Sequence, residues 1–130
     1  MAITILDDDM LESGADSLVC PVNCVGTMGA GLAKVFDKRY RAASAVYKRE
    51  CRAGAMMPGD VVPICSGSSE RLPSPGPLLY FAATKQHWRD PSQIGWVQRC
   101  ADALVIRARA NASTMRSIAI PALGCGCGEI

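Results

Sequence analysis

The sequence predicts an α/β domain built on a largely parallel sheet. Short apolar runs alternate with longer stretches of helical spacing. Helices follow strands, and the residues best suited to chemistry fall just after strands, where parallel α/β sheets hold ligands. At 130 residues, 49% hydrophobic and 20% charged, the chain has the length and composition of one globular domain spanning residues 1–130.

Residues 2–6 suit a strand that stops at Asp7, Asp8 and Asp9. Residues 10–14 form a short turn or a single helical turn, with Asp9 as cap and Gly14 as its close. Residues 17–22 read as a buried strand, and Pro21 removes one ladder donor, so pairing should fail near its end. A helix begins over residues 30–36 with Leu32, Val35 and Phe36 on one face. A second, over residues 41–51, turns Ala43, Val46 and Tyr47 inward and Lys48, Arg49 and Arg52 outward, and Gly54 ends it. Val61, Val62 and Ile64 form a strand after the turn at residues 57–60, and Pro63 suggests an edge. Residues 65–77, rich in Ser, Gly and Pro, read as a surface loop. Residues 78–83 are a continuous apolar strand delivering residues 84–89 at its end. Asp90, Pro91 and Ser92 start a helix running to Ala110, with Ile94, Val97, Ala101, Leu104, Val105 and Ala108 at helical spacing. Residues 117–122 make a last buried strand leading into residues 123–130.

The formal charge of +2 is too small to indicate a duplex-binding surface. The clustered Lys34, Lys38, Arg39, Arg41, Lys48, Arg49 and Arg52 fit the solvated faces of two helices. The amino terminus lacks the pattern of a signal peptide, and no run approaches the length of a membrane span, which points to the cytoplasm. Seven cysteines in strands and loops are expected as reduced thiols rather than bridges. Cys125 and Cys127, with Cys20, Cys24 and His87, have the wrong spacing for a zinc knuckle, so no metal is expected.

The chemistry concentrates in two glycine-rich loops and one lysine. Gly26, Gly29 and Gly31 follow the strand at 17–22, and Gly124, Gly126 and Gly128 follow the strand at 117–122. If those strands are neighbours, the two loops can pinch a diphosphate through backbone N–H groups. The alternative is tight-turn glycines without a ligand. The spacing is the reverse of the dinucleotide fingerprint, and the P-loop Gly-Lys-Ser/Thr is missing. Lys85 lies between an apolar strand and a cluster of Thr84, Gln86, His87, Trp88 and Arg89. Such a lysine can attack an electrophilic carbon or hold a phosphate, or it can simply face solvent. His87, the single histidine, is a catalyst or a structural hydrogen-bonding residue. Trp88 is the better of the two tryptophans for a ligand wall, and Arg89, Lys34 and Trp88 are candidates for contact with single-stranded nucleic acid.

Three motifs in matching order carry a resemblance. They are Val-Asn-Cys-Val-Gly-Thr-Met-Gly-Ala-Gly-Leu-Ala (22–33), Phe-Ala-Ala-Thr-Lys-Gln-His-Trp-Arg (81–89) and Ile-Ala-Ile-Pro-Ala-Leu-Gly-Cys-Gly (118–126). With them the chain resembles the macrodomain fold, and within it the DarG-type ADP-ribosylglycohydrolases, antitoxins that remove ADP-ribose placed by the DarT toxin on thymidine in single-stranded DNA. The resemblance implies a three-layer α/β/α fold around a central mixed, largely parallel sheet, with ADP-ribose as ligand and no cofactor. It implies that Asp9 and Met10 hold the adenine and that Asn23 reaches the distal ribose. Thr27, Met28, Gly29, Gly31 and Leu32 would form the first phosphate and ribose loop, and Leu123, Gly124, Cys125, Gly126, Cys127 and Gly128 the second. Lys85 would be the catalytic lysine at the anomeric carbon, working with Asn23 and flanked by Thr84 and His87. Asp8 stands where the family has glycine, and Glu129 replaces another. The resemblance also implies that the family's last helix and strand are absent from this chain. An ADP-ribose-binding module with little turnover, or an antitoxin that binds a DarT-like toxin directly, are the alternative functions.

Overall fold

A computed structural model describes residues 9–66, 76–111, 113 and 115–124. The strand expected at residues 2–6, most of the loop at 65–77 and the end of the second glycine loop lie outside them. A 3-10 turn at Met10–Glu12 opens the described chain. Asp9 caps it by accepting from the Leu11 backbone N–H at 3.0 Å, and Gly14 follows with a positive φ of 74°. Then come β1 (Ser17–Val22), α1 (Gly31–Arg39), α2 (Arg41–Arg52), β2 (Val61–Cys65), β3 (Leu78–Ala83), α3 (Ile94–Ala110) and β4 (Ile118–Ala119).

The sheet order is β2-β3-β1-β4; β1 pairs in parallel with both β3 and β4, and β2 runs antiparallel to β3. Strand alternation sends side chains to opposite faces. Leu18, Cys20 and Val22 of β1 and Leu79, Phe81 and Ala83 of β3 pack with Phe36 of α1 and Ala43 and Tyr47 of α2. Val19, Tyr80 and Ala82 pack on the other face with Cys100 and Leu104 of α3. Continuous apolar runs are what strands covered on both sides require, and the three-layer expectation holds.

Several local expectations are corrected. Pairing of β1 with β3 continues through Pro21 to Val22 opposite Ala83. Ser17 donates to Ser117 on the β4 side and Val22 accepts from Thr84 on the β3 side. Odd residues of β1 therefore face β4, and the donor Pro21 lacks would point beyond the last β4 pair, Leu18 with Ala119. The third helix starts at Ile94 rather than near Asp90, because a turn in which Asp90 N–H donates to the His87 carbonyl intervenes and Gln93 is extended. Ile94 and Val105 are exposed; Cys100, Leu104 and Ala108, four residues apart, form the buried stripe. Val35 is likewise exposed, since α1 turns Leu32, Ala33, Phe36 and the following Tyr40 to the core. The last strand shrinks to Ile118–Ala119. Its entry is fixed by Asp16, whose carboxylate accepts from the backbone N–H groups of Arg116 and Ser117. Pro63 does lie on an edge strand. Among the described residues no helix is long and apolar enough to cross a membrane.

The five described cysteines, Cys20, Cys24, Cys51, Cys65 and Cys100, are free thiols. Burial pushes Cys24 from 9.0 to about 11 and Cys100 from 9.0 to about 12. Unfolding returns both to water, where they ionise first, so between about pH 9 and pH 11 to 12 the unfolded chain binds fewer protons and stability falls as pH rises. Under reducing conditions the urea midpoint is expected to be unaffected by these thiols below pH 8 and to drop through that alkaline window. Cys100→Ala should make the drop shallower, and an unchanged slope would refute this account.

Candidate functional site

Three strand ends open at one edge of the sheet. Because β3, β1 and β4 are parallel neighbours, the segments that follow them emerge side by side. Two backbone bonds tie the first pair together: Thr84 N–H donates to the Val22 carbonyl at 3.0 Å and Cys24 N–H to the Gln86 carbonyl at 3.2 Å. The condition that the two glycine loops follow neighbouring strands is met.

Asn23 organises the first loop. It is buried, and its carboxamide oxygen accepts from the backbone N–H groups of Val25 (3.1 Å), Gly26 (3.0 Å) and Thr27 (3.3 Å), while Nδ2 donates to the Thr27 carbonyl at 3.0 Å. Such side-chain capping of successive amides is how asparagine builds a turn. Tyr47 completes the arrangement from α2: its hydroxyl lies 2.7 Å from the Asn23 carbonyl and 3.1 Å from Asn23 Oδ1, and its ring stacks on Phe81 at 5.2 Å. Burial pushes the Tyr47 phenol up, keeping it a donor. Gly26, at φ 84°, lets the loop pass over α2, where an added Cβ would meet Cys51 Cβ at 3.4 Å. The Asn23 oxygen is thus committed to the loop, and one Nδ2 hydrogen remains outside the bonds formed among the described residues.

Beyond Asn23, Thr27 and Gly29 are exposed, Met28 is buried and Leu32 half-buried. Gly31 has a φ of 59° and opens α1, whose N-cap, Ala30, supplies no side-chain bond and whose first turn holds no acid. The unpaired N–H groups of that turn suit an anion. On the far side of β1, Leu123 packs on the α3 face and Gly124, at φ 79°, is buried. Cys125, Gly126, Cys127 and Gly128 lie outside the described residues.

Lys85 follows β3 and is only 9% exposed. Its Nζ reaches the Trp88 carbonyl at 3.4 Å, and among the described residues no carboxylate lies within 4.0 Å of it. Thr84 beside it is buried. His87 Nδ1 accepts from the Arg89 backbone N–H at 3.1 Å, an arrangement that leaves the ring proton on Nε2. Trp88 is 49% exposed, with the Arg89 guanidinium 4.8 Å above its ring.

Asp9 is exposed and bonds within its own turn, and Met10 is half-buried against the core on the α1–α2 face. A cleft of about 330 Å³ opens at the opposite ends of β1 and β3, lined by Leu11, Asp16, Arg39, Tyr40 and Pro77 among others, and none of the candidate residues lines it. Its charges are already engaged, Asp16 with backbone N–H groups and Arg39 with Glu12 at 2.6 Å. Among the described residues no cluster of three His, Cys, Asp or Glu could hold a metal ion. The roles of Tyr47 and of the Gln86 and Trp88 carbonyls are absent from the sequence reading. A tyrosine on the buried face of an amphipathic helix was the available signal, since its hydroxyl must find a partner.

A family model described as Macro domain matches residues 19–130. The chain is 33% identical over 129 residues to a curated Mycobacterium tuberculosis protein named DNA ADP-ribosyl glycohydrolase, covering 98% of this chain and 35% of that one. It therefore spans about a third of that relative's length. Among solved structures, the macrodomain of Mycobacterium tuberculosis DarG superposes with a TM-score of 0.87 at 32% identity, over 99% of this chain and 81% of that one. Thermosipho africanus DarTG in complex with ADP-ribose gives 0.78 at 25% identity, over 94% and 33%. The three-layer fold and the family model agree, and the chain belongs to the macro domain family.

Proposed function

We propose that this chain removes ADP-ribose from nucleotides of single-stranded DNA by hydrolysing the glycosidic bond, as a cytoplasmic antitoxin paired with a DarT-like toxin. The observation that carries the reading is the Lys85 amine. Burying most of a lysine side chain is costly unless its amine is well paired, yet this one has a single long carbonyl contact and no carboxylate within 4.0 Å among the described residues. It stands at the strand-end edge beside a loop rich in backbone donors, an arrangement suited to a sugar attached to a diphosphate. The names of the relatives, DNA ADP-ribosyl glycohydrolase and DarTG in complex with ADP-ribose, support the same chemistry.

In this reading the loop at residues 26–32 and the loop beginning at Leu123 and Gly124 hold the diphosphate, continued by Cys125, Gly126, Cys127 and Gly128. The remaining Asn23 amide hydrogen orients the distal ribose, Asp9 and Met10 serve the adenine end, and Thr84 and His87 line the reacting end. Lys85 acts on the anomeric carbon in one of two ways. As a nucleophile its amine attacks the anomeric carbon and displaces the base, which leaves with a proton; the resulting glycosylamine opens to an imine as the ring oxygen takes the amine proton, and water hydrolyses the imine to restore the amine and free ADP-ribose. As a cation it stabilises the departing base without a covalent bond. Borohydride separates the two, since only the imine is trapped as a stable adduct. No cofactor enters either route.

With ADP-ribosylated single-stranded DNA, Lys85→Ala is expected to lower release by about 10²-fold or more, with melting curves establishing that the variant is folded. Full hydrolysis by that variant would overturn the catalytic role, and ADP-ribose binding by the wild type without release would make the chain a reader instead. Tyr47→Phe leaves the Asn23 carbonyl without its hydroxyl donor. It should cost about 1–3 kcal/mol in stability, speed hydrogen exchange at Val25, Gly26 and Thr27, and weaken ADP-ribose binding in titration calorimetry. Unchanged exchange at those amides would show that the loop does not depend on Tyr47.

A further inference from the structure

The turn that holds Lys85 also carries an aromatic and cationic surface. Trp88 is 49% exposed while its own backbone carbonyl receives Nζ of Lys85. Arg89 lies over the indole with its guanidinium carbon 4.8 Å from the ring centroid, and the His87 ring is 5.3 Å from it at 30°. The turn is braced by Arg89 N–H to His87 Nδ1 and Asp90 N–H to the His87 carbonyl. Asp90 is the acidic neighbour in sequence, yet among the described residues no carboxylate lies within 4.0 Å of Arg89.

We propose that Trp88 and Arg89 together form the platform on which a base of single-stranded nucleic acid stacks, the polymer-binding element of a hydrolase that acts on ADP-ribosylated nucleic acid. The inference rests on that reading for its substrate but on the turn's geometry for its residues. An exposed indole leaves a large apolar face in water, and a guanidinium spread over it adds a flat, weakly hydrated cation. A base offers a π-face to the first and a phosphate to the second, the pairing by which sequence-tolerant single-strand binding works. A protein partner would meet Trp88 as an apolar anchor, but it would leave the unpaired Arg89 charge to be desolvated unless it brought a carboxylate. The bond from the Lys85 amine to the Trp88 carbonyl places the backbone that carries the indole beside that amine. The platform is thus a positioning element, separate from the diphosphate loops and from any contact with the adenine.

The test has two arms. In the first, an unmodified fluorescent single-stranded oligonucleotide is titrated with the full chain across a salt series and followed by anisotropy. Trp88→Ala is expected to weaken binding about tenfold and Trp88→Phe to restore most of it. Arg89→Gln should lower the slope of log affinity against log salt by about 0.7, the value for one phosphate contact on a single strand. In the second, kcat/KM is compared for an ADP-ribosylated oligonucleotide and an ADP-ribosylated mononucleoside. Trp88→Ala should reduce the ratio of the two about tenfold. Wild-type protein that does not bind the oligonucleotide, or variants that leave its affinity, salt slope and the substrate ratio unaltered, would overturn the platform. Oligonucleotide binding that depends on Trp88 without hydrolysis of either substrate would uphold the platform and overturn the hydrolase reading instead. Melting temperatures of the variants separate loss of the platform from loss of the fold.

Discussion

Parallel pairing of one central strand with a neighbour on each side is the constraint from which the site follows. β1 lies between β3 and β4 and runs the same way as both, so three chain segments leave the sheet at one edge. Antiparallel β2 is confined to the outside, where Pro63 costs no second ladder. Parallel neighbours also need crossovers, and α1–α2 and α3 supply the covering layers that make the strands apolar on both faces. Lys85, Asn23 and Gly124 are thus brought to one edge by topology.

At that edge, rigidity comes from the first loop rather than from its glycines alone. Glycines permit the turn, but the Asn23 oxygen determines it by gathering three consecutive amides, and Tyr47 anchors the same residue from the opposite layer. A loop held this way presents its remaining N–H groups in a fixed arrangement, which lowers the ordering cost of binding an anion. The Cys24 to Gln86 bond extends that order to the segment bearing Lys85.

The fold was largely legible because its signals are local. The apolar runs at 17–22 and 78–83 mark β1 and β3 to the residue, and the capped turn at Met10–Glu12 and the edge role of Pro63 follow from single-residue chemistry. Ile94, Val35 and Val105 have the right spacing for burial, yet helix orientation against the sheet is set by partners the sequence does not display, and those side chains face water. The late start of α3 follows a turn built around His87 by bonds two and three residues long, a local arrangement that displaces the proline signal. At the site, Lys85 and the first loop were visible as residue types in a pattern. Tyr47 was visible only as an inward tyrosine in need of a partner, and the Trp88 carbonyl not at all, because bonds made by backbone atoms leave no mark on residue type.

Pro21 and Pro121 have a joint consequence. Continuing the β1–β4 register past Leu18 and Ala119 would bring Cys20 opposite Pro121 and Pro21 opposite Ala122. Each strand lacks an amide donor where the other would need it, so the ladder cannot zip further towards the open edge. Pairing between the two strands is accordingly confined to Ser17 with Ile118 and Leu18 with Ala119, and the missing donors are a property of covalent structure rather than of a balance of weak forces. Whatever the solvent or temperature, two of the ladder bonds that would extend β4 alongside β1 have no donor to form them.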